Sequence, residues 1–269
     1  MFKYFILFYK KIYDPFIDKV ILFLNTLGKY LYFLKEVIAK IIAFSPNYRE
    51  LFSQIHYIGS KSIFVVSITG VFVGALVSMN LQMQLNAFGA DKFIGGLNVS
   101  SSFRELTPLL ISFIIASKVG VFTTAELGAM RISDEIDTLR SLAIDPIRYL
   151  IVPRFIGVFV SSFSLLIFGL FMSFIGGMVA AVSLGVNPVQ YIITIPILVS
   201  TYSLIYAIVK CFIFGFIVAS IGCFMGYGAR GGSEGLARVT RLTAEVLIVA
   251  LIFVDYLLAM FMNFVSGIL

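Results

Sequence analysis

Residues 155–184 read FIGVFVSSFSLLIFGLFMSFIGGMVAAVSL and contain no charged side chain. A bilayer's hydrocarbon core is about 30 Å thick, and roughly 20 helical residues cross it. This stretch is therefore predicted to be a transmembrane helix. The same pattern recurs around it, because residues 62–90 and 106–117 carry no charge and residues 155–229 carry only Lys210.

The composition of the whole chain agrees with a lipid environment. The 269 residues are 60% hydrophobic and 13% charged, with a mean hydropathy of +1.03. A soluble domain carries about 25% charged residues, and a chain of this length has too little interior to hide the difference. An ordinary soluble globule, a disordered chain and a secreted disulfide scaffold are excluded. Continuous apolar runs also disfavour a β-barrel, whose strands would alternate over ~10 residues.

The charge-free runs define the predicted fold class, an all-α polytopic membrane protein. Five crossings are predicted, near 62–85, 104–122, 155–184, 191–226 and 242–268. Gly185-Val186-Asn187-Pro188 supplies the turn between the third and fourth crossings.

The N-terminal stretch 16–44 predicts a helix of a different kind. Its polar residues fall within about 60° of one another at 100° per residue, and they are Asp18, Asn25, Lys29, Glu36 and Lys40. A narrow polar stripe favours a helix that lies in the membrane interface. The alternative is a sixth, poorly hydrophobic spanning helix. We therefore divide the chain into an N-terminal interfacial segment, 1–48, and a membrane domain, 49–269.

The distribution of basic residues predicts the orientation, since Lys and Arg are enriched on the cytoplasmic side. The basic residues fall mainly in the loops after the second and fourth crossings: Arg131, Arg140, Arg148, Arg154, Arg230, Arg238 and Arg241. The opposite loops hold only Lys92 and Arg104. The N-terminus is therefore predicted to be cytoplasmic and the C-terminus outside. Topology accounts for most of the net charge of +6, so no nucleic-acid partner is needed.

Several kinds of chemical site have no support in the sequence. Cys211 and Cys223 lie about 18 Å apart on one predicted helix, too far for a disulfide, and His56 is the only histidine. The phosphate-binding pattern G-x-x-x-x-G-K-[ST] is missing. We expect no metal or cofactor in this chain, so any ATP and Mg²⁺ would be bound by another subunit.

The predicted cytoplasmic loop 123–154 contains a short amphipathic helix. Ser133 is the predicted N-cap, and the apolar face is formed by Ile132, Ile136, Leu139 and Ala143. Asp145 and Pro146 predict the cap and first residue of the next helix. A helix of this kind between two crossings is suited to a groove of a soluble protein. The alternative, a helix that lies on the bilayer, is disfavoured because five acids face four arginines.

Two charges fall near the middle of predicted crossings, Lys210 in the fourth and Asp255 in the fifth. Lone charges at that depth are expensive and usually find a partner or line a polar path. We predict that they pair. The pair is either a structural lock or a contact that breaks and re-forms during a transport cycle, and the lock is favoured.

Several motifs together resemble a known family. They are AELGAMR at 125–131, EIDTLR at 135–140, DPIRYL at 145–150, VPR at 152–154, GVFVG at 70–74, RELTP at 104–108, Gly226-Tyr227, Arg238 and Asp255. Over roughly residues 50–265 the chain resembles the MlaE/YrbE permeases, the membrane subunits of MCE-type ABC lipid transporters. It departs from them at Thr107, where the family usually has glycine, and at Lys118, where it usually has arginine.

The resemblance implies an assembly and a location. A permease homodimer would bind two cytoplasmic ABC ATPase subunits and a periplasmic ring of MCE proteins, as a multi-pass protein of the bacterial inner membrane. Segment 126–140 would be the coupling helix, whose coupling residues are Glu126, Arg131, Asp134, Glu135, Ile136, Leu139 and Arg140. No covalent chemistry is expected of this chain. Gly70 with Gly74, and Gly222 with Gly226, permit close helix approach either between two copies or within one.

Two groups of residues are candidates for lipid contact. Arg104 and Glu105 are suited to a zwitterionic or anionic head group, since Arg matches phosphate geometry, although charges that simply reach toward water are the alternative. A possible lining for acyl chains, or else a plain packing face, is formed by Val77, Leu81, Gln84 and Phe88.

The sequence thus predicts the permease subunit of an ABC transporter that moves phospholipid between the inner membrane and an MCE protein, in support of outer-membrane lipid asymmetry. Within the same family, sterols or other hydrophobic molecules are alternative cargoes. In a different class, an ion-coupled secondary carrier would use Lys210 and Asp255 as its relay. A carrier would work alone, whereas a permease would need its ATPase.

Overall fold

In a computed structural model that describes residues 2–42 and 48–266, every regular element is helical. The α-helices, in chain order, are α1 (Phe2–Ile42), α2 (Tyr48–Asn86), α3 (Ile94–Ser101), α4 (Thr107–Ile115), α5 (Val121–Ile132), α6 (Glu135–Ser141), α7 (Val152–Ser183), α8 (Pro188–Ile193), α9 (Ile195–Leu198), α10 (Thr201–Tyr227) and α11 (Gly232–Ser266). The chain divides into two compact units, Met1–Ser45 and Pro46–Leu269.

Five helical stretches of the described residues are long and apolar enough to cross a membrane, which confirms the predicted all-α polytopic fold. They are Leu51–Asn86, Asp91–Ile132, Ile147–Ser183, Thr201–Tyr227 and Gly232–Met262. Residues 43–44 of the predicted N-terminal helix, and residues 267–268 of the predicted fifth crossing, lie outside the described residues.

The predicted start of the fourth crossing is wrong. Residues 188–198 form the short helices α8 and α9, and the spanning helix α10 begins only at Thr201. Pro188 is the first residue of α8 and Pro196 the second residue of α9. The Ser200 hydroxyl caps α10 by accepting a hydrogen bond from the Tyr202 N–H at 3.2 Å. Hydrophobicity alone does not reveal this break, because the whole stretch is apolar.

The second crossing is longer than predicted. A continuous helical rod runs over Asp91–Ile132, and we call it the second rod. It contains two π-helical turns, Ser102–Leu106 and Ala116–Gly120. Both turns re-register the helix and leave backbone carbonyls without their usual α-helical donors. Because the second rod continues to Ile132, the connecting loop is shorter than the predicted 123–154.

The connection around α6 corrects the predicted cap. Ser133 ends α5, where its hydroxyl donates to the Ala129 carbonyl at 3.0 Å, and it is therefore not an N-cap. The residue before α6 is Asp134, in the left-handed region with φ 58°. The other predicted cap is confirmed, because the Asp145 carboxylate accepts from the Ile147 N–H at 3.0 Å and Pro146 is the first helical residue.

The fifth spanning helix also begins earlier than predicted. Residues 232–241 already belong to α11, so that Arg238 and Arg241 lie exposed on its first three turns and not in a loop. Arg131 likewise lies on α5.

Close packing of α2 against α7 forms the centre of the second unit. A Cβ atom at Gly74 would overlap the backbone of Ser173, and one at Gly176 would overlap the backbone of Val71. A Cβ at Gly70 would lie 2.8 Å from the Gly169 carbonyl oxygen. The small residues therefore bring two spanning helices together within one chain.

The second glycine pair has the same use. A Cβ at Gly222 would lie 3.1 Å from the Gly120 carbonyl, and one at Gly226 would lie 2.8 Å from the Leu127 Cβ. Both pairs thus join helices of one chain, α2 to α7 and α10 to the second rod. Of the two uses left open by the sequence, packing within the protomer is the one observed.

Helix α1 is 41 residues long. Lys40 donates to Glu36 at 2.6 Å along the predicted polar stripe. Large apolar side chains of α1 are exposed, among them Leu22, Leu31 and Tyr32. Helix α1 is not among the five described stretches that are long and apolar enough to cross a membrane.

We expect Gly74→Ala to destabilise the second unit strongly, because the added methyl group meets the Ser173 backbone and not a flexible side chain. Overpacking of this kind costs about 3 kcal/mol, and the thermal unfolding midpoint in detergent should fall by roughly 6–12 °C. Gly59→Ala on the same helix is the matched control, since a Cβ there meets nothing within 4 Å. Equal midpoints for the two variants would contradict the packing role.

Candidate functional site

A buried ammonium group organises the candidate site. Lys210 on α10 is fully buried, and its Nζ lies 2.5 Å from Oδ1 of Asp255 on α11. Nζ also donates to Glu105 Oε2 at 3.1 Å and to the Arg104 carbonyl at 2.8 Å, both on the second rod. Three oxygens from two neighbouring helices therefore surround one charge. The structure brings together Lys210 and Asp255, as the sequence predicts, and adds the second rod to the pair.

A local feature of the sequence makes the Arg104 carbonyl available. In an α-helix this carbonyl would accept from the N–H of residue 108, but residue 108 is proline and has no N–H. The π turn Ser102–Leu106 ends at the same point. The Lys210 ammonium donates to this carbonyl and so supplies the hydrogen bond that the proline removes.

The helices bring these groups to the same depth. Lys210 lies about nine residues after the start of α10, and Asp255 lies about eleven residues before the end of α11. Since consecutive spanning helices run in opposite directions, both positions are about 13–17 Å from helix ends that lie on the same side. The Tyr206 ring, one turn before Lys210, lies 5.2 Å from Nζ and adds a cation–π contact.

The predicted head-group residues are both half-buried but differ in their contacts. The Glu105 side chain is 46% exposed although Oε2 contacts Lys210. The Arg104 guanidinium has a weak polar contact, 3.7 Å from the Met262 sulfur, and no carboxylate within 4 Å among the described residues. The site therefore holds one satisfied ammonium inside and presents a guanidinium with free donors beside a half-exposed carboxylate.

The predicted lipid-contact face of α2 is only partly formed. Leu81 packs against a buried cluster of α3, α7 and α8 that includes Ile94 and Tyr191. Val77 is half-buried and Gln84 is exposed. Phe88 lies beyond the end of α2 in a turn, and 84% of its surface is exposed. The prediction that these four residues share one helical face is wrong, because α2 ends at Asn86.

A second charged cluster joins α6 to two spanning helices. Asp137 accepts from Arg131 on α5 at 2.7 Å and from Arg140 at 3.0 Å. Arg140 also donates to the Tyr227 hydroxyl, at the end of α10, at 2.6 Å. These contacts fix α6 against both helices.

The same cluster has a defined pH range. The hydrogen bond from Arg131 holds the pKa of Asp137 below its usual 3.8, and the charges of Arg131 and Arg140 act in the same direction. A lowered pKa means that the contact is complete above pH 3.8 and is lost as the pH falls through the lower folded-state pKa. The cluster therefore stays intact at physiological pH.

A third ion pair fastens α7 to the second rod. The Arg154 guanidinium, 5% exposed, donates to Glu126 Oε1 at 2.9 Å. The sequence places Arg154 among the loop charges that set topology, but this arginine is buried. Its contact joins the first residues of the third crossing to the last turns of the second.

The remaining predicted coupling residues divide into buried and exposed ones. Ile136 is fully buried and Leu139 is half-buried, so the apolar face of α6 turns largely toward the protein. Asp134 and Glu135 are exposed. Leu142, just after α6, is 65% exposed, and Ile144 is also exposed. The face that α6 leaves open is therefore an acidic edge with two apolar side chains beside it.

The spanning helices belong to a region of the chain that matches a known protein family. Residues 51–261 match the family described as "Permease MlaE". The chain belongs to the MlaE permease family. The match covers all five spanning helices and both charged clusters.

The similar proteins come from bacteria and a plant. A probable ABC transporter permease protein of Synechocystis sp. is 31% identical over 84% of this chain and 87% of its own length. The intermembrane phospholipid transport system permease protein MlaE of Haemophilus influenzae is 27% identical over 91% and 94%. The chloroplastic protein TRIGALACTOSYLDIACYLGLYCEROL 1 of Arabidopsis thaliana is 30% identical over 84% and 65%.

In this MlaE-family chain, sequence reasoning missed three contacts: Glu105 with Lys210, Glu126 with Arg154, and Arg140 with Tyr227. Each joins residues 28 to 105 positions apart. Helical periodicity carries no information on such pairs. One signal was available, since Pro108 removes the donor for the Arg104 carbonyl.

We expect Lys210→Met to destabilise the MlaE-family fold more than Asp255→Asn does. Removing Lys210 leaves Asp255 without its ammonium and the Arg104 carbonyl without its donor, at a cost of about 3–5 kcal/mol. Removing the Asp255 charge leaves Lys210 with Glu105 and the same carbonyl, at about 1–2 kcal/mol. Thermal unfolding in detergent measures the difference.

The double variant Lys210→Met/Asp255→Asn, which combines the two single substitutions, tests the coupling. Contacting residues couple by about 1–3 kcal/mol, so the double variant should cost less than the two single losses combined. Strict additivity would contradict a direct pair. The charge swap Lys210→Asp/Asp255→Lys should not restore wild-type stability, because a carboxylate at position 210 would face Glu105 and the Arg104 carbonyl.

Proposed function

We propose that this chain is the permease subunit of an ABC transporter that moves phospholipid between the bacterial inner membrane and a periplasmic MCE protein. The observation that carries the proposal is the arrangement at Lys210, which leaves the Arg104 guanidinium with free donors beside Glu105. Membership of the MlaE family and the printed function of the Haemophilus influenzae relative support the choice of cargo. Transport of this lipid would help to maintain outer-membrane lipid asymmetry.

The proposed cargo contact follows from the chemistry of the two side chains. Arginine presents a planar set of N–H donors that matches two phosphate oxygens. The half-exposed Glu105 carboxylate suits an amine of a zwitterionic head group. Lys210 does not touch the lipid in this proposal. Instead it holds the Glu105 side chain and the Arg104 backbone in position, while Asp255 balances its charge.

The proposed energy source is ATP hydrolysis in a separate subunit. The chain has no phosphate-binding glycine loop, so ATP and Mg²⁺ would be bound by two cytoplasmic ATPase subunits. The acidic edge at Asp134 and Glu135, together with exposed Leu142, is suited to a groove of such a subunit. This assignment makes the N-terminus cytoplasmic and the C-terminus periplasmic.

The charged contacts give the proposed coupling a physical route. Movement of α6 would act on α5 through Arg131 and Asp137, and on α10 through Arg140 and Tyr227. Arg154 and Glu126 would pass the movement of α5 to α7. Because α10 also carries Lys210, a shift of α10 would alter the position of Arg104 and Glu105.

A homodimer completes the proposed transporter. Helix α11 is the least buried of the five spanning stretches, with 17% of its most apolar part buried. Its exposed side chains include Val249, Phe253, Tyr256 and Met260. This apolar face is available to a second copy, and the lipid cavity would lie between the two copies beneath the MCE ring.

The cargo proposal predicts that the purified native complex retains phospholipid, identified by mass spectrometry of the extracted lipid. Arg104→Ala should reduce the retained phospholipid about tenfold, the effect of one charge-assisted contact of ~1.4 kcal/mol. Arg238→Ala, an exposed arginine on α11, is the control and should retain it. Recovery of a sterol in place of phospholipid would contradict the cargo, as would equal retention by both variants.

The coupling proposal predicts that Asp134→Lys/Glu135→Lys loses the co-purifying ATPase while the permease stays folded, because both side chains are exposed. Glu234→Lys, an exposed acid at the start of α11, is the matched charge control and should keep the ATPase. Unchanged ATPase retention in the double variant would argue against docking through these acids. A chain recovered alone, with transport driven by an ion gradient, would support the carrier instead.

A further inference from the structure

A second charged site lies away from the Lys210 cluster, between α2 and the second rod. It is a depression of about 230 Å³ lined by Tyr57, Ile58, Lys61, Ser62, Lys118, Val119 and Phe122. The Lys118 ammonium donates to the Lys61 backbone carbonyl, which holds it at the edge of the depression. The Lys61 ammonium lies 3.8 Å from the centre of the Tyr57 ring.

Neither ammonium group has a compensating charge among the side chains that the structure describes. In that part of the chain, no carboxylate lies within 4 Å of either lysine. By contrast, each of the buried cations Lys210 and Arg154 has a carboxylate partner. Both lysines line the same depression, and like charges repel each other, so a site of this kind is more stable when an anion occupies it.

The position of the depression corresponds to a lipid head-group region. Lys61 immediately precedes the charge-free run 62–90, and Lys118 immediately follows the charge-free run 106–117. Both lysines are therefore at the same boundary of the hydrophobic layer, on the membrane side that carries α6. Tyr57 and Phe122, whose rings lie 5.6 Å apart, stand one turn further out, where membrane proteins concentrate aromatic side chains.

The surface below the lysines is suited to an acyl chain. Helical spacing places Phe64, Ile68 and Phe72 in line with Lys61 along α2. All three are large, apolar and exposed. The floor of the depression is also apolar at its centre, where Ile58 and Val119 are buried. A charged end and an apolar track thus follow one another along a single helix.

We propose that this depression binds the phosphate head group of an anionic phospholipid from the leaflet on the α6 side, with one acyl chain along Phe64, Ile68 and Phe72. Basic pockets between spanning helices on the cytoplasmic side recognise anionic head groups in this way. Lys61 and Lys118 bind the phosphate, and Tyr57 and Phe122, one turn further out, flank the polar end of the head group. The site is separate from Arg104 and does not depend on which cargo the permease moves.

Lipid titration of the purified full-length chain tests the proposal. Native mass spectrometry would count dioleoylphosphatidylglycerol and, separately, dioleoylphosphatidylcholine bound to the protein in detergent. We expect wild type to retain phosphatidylglycerol preferentially. Each lysine should contribute about fivefold, so Lys61→Ala/Lys118→Ala should lose roughly 25-fold in affinity. Lys92→Ala, an exposed lysine at the opposite membrane side, should leave the preference unchanged.

Two further variants keep the result interpretable. Lys61→Met leaves the contact between Lys118 and the backbone carbonyl of residue 61 intact. It should lose about fivefold in phosphatidylglycerol affinity, and it replaces the double variant as the test if that variant does not fold. Lys61→Arg/Lys118→Arg retains both charges and should retain the lipid.

Three results would overturn the proposal. The first is equal binding of the two lipids by wild type, and the second is an undiminished phosphatidylglycerol preference in Lys61→Met. The third is full competition by millimolar inorganic phosphate, which would assign the site to a soluble anion. Loss of the preference in Arg104→Ala, with the lysine variants unaffected, would likewise move the anionic lipid to the other site. The cargo proposal would survive each of the first three results.

Discussion

The ammonium of Lys210 has to be satisfied by protein oxygens, because the hydrocarbon around α10 offers none. Asp255, Glu105 and the Arg104 carbonyl supply those oxygens from α11 and the second rod, so one charge determines how three spanning helices meet. Pro108 makes the arrangement possible, since it leaves the carbonyl without an α-helical donor. The same contacts hold Arg104 and Glu105 where a lipid head group can reach them, so a requirement of folding in lipid also shapes the proposed cargo site.

Charged contacts also join helices at the other end of the second rod. Arg131, Asp137, Arg140 and Tyr227 join α6 to α5 and α10, and Arg154 with Glu126 adds α7. The glycines of α10 bring that helix against the second rod, as Gly74 and Gly176 do for α2 and α7. These close helix contacts make the packing rigid, which is the property that the proposed coupling requires. The proposed lipid site at Lys61 and Lys118 lies between the two charged clusters, where an anion would add a further contact between α2 and the second rod.

The sequence predicts the elements of this fold better than their ends. Charge-free runs identify five crossings because each must be apolar to enter the bilayer, and the described residues form five helical stretches that are long and apolar enough to do so. The start of the fourth crossing is misjudged because Pro196 and Ser200 break a stretch that is apolar throughout. Ser133 is misjudged as an N-cap because the second rod extends to it, and local propensity does not measure how far a neighbouring helix continues. The prediction that Phe88 shares a helical face with Val77, Leu81 and Gln84 is wrong for a related reason, since α2 ends two residues before Phe88.

Residue chemistry and spacing thus determined the membrane class, the number of crossings and the family motifs, and they indicated that Lys210 needs a partner. All of these follow from transfer free energies and helical periodicity, which are properties of single segments. Only the tertiary structure decided that Glu105 and the Arg104 carbonyl share the ammonium, that both glycine pairs act within one chain, and that Lys61 and Lys118 meet at one depression. Those outcomes depend on which helix faces reach each other across gaps of up to 105 residues in the chain, and packing fixes that choice after the segments have formed.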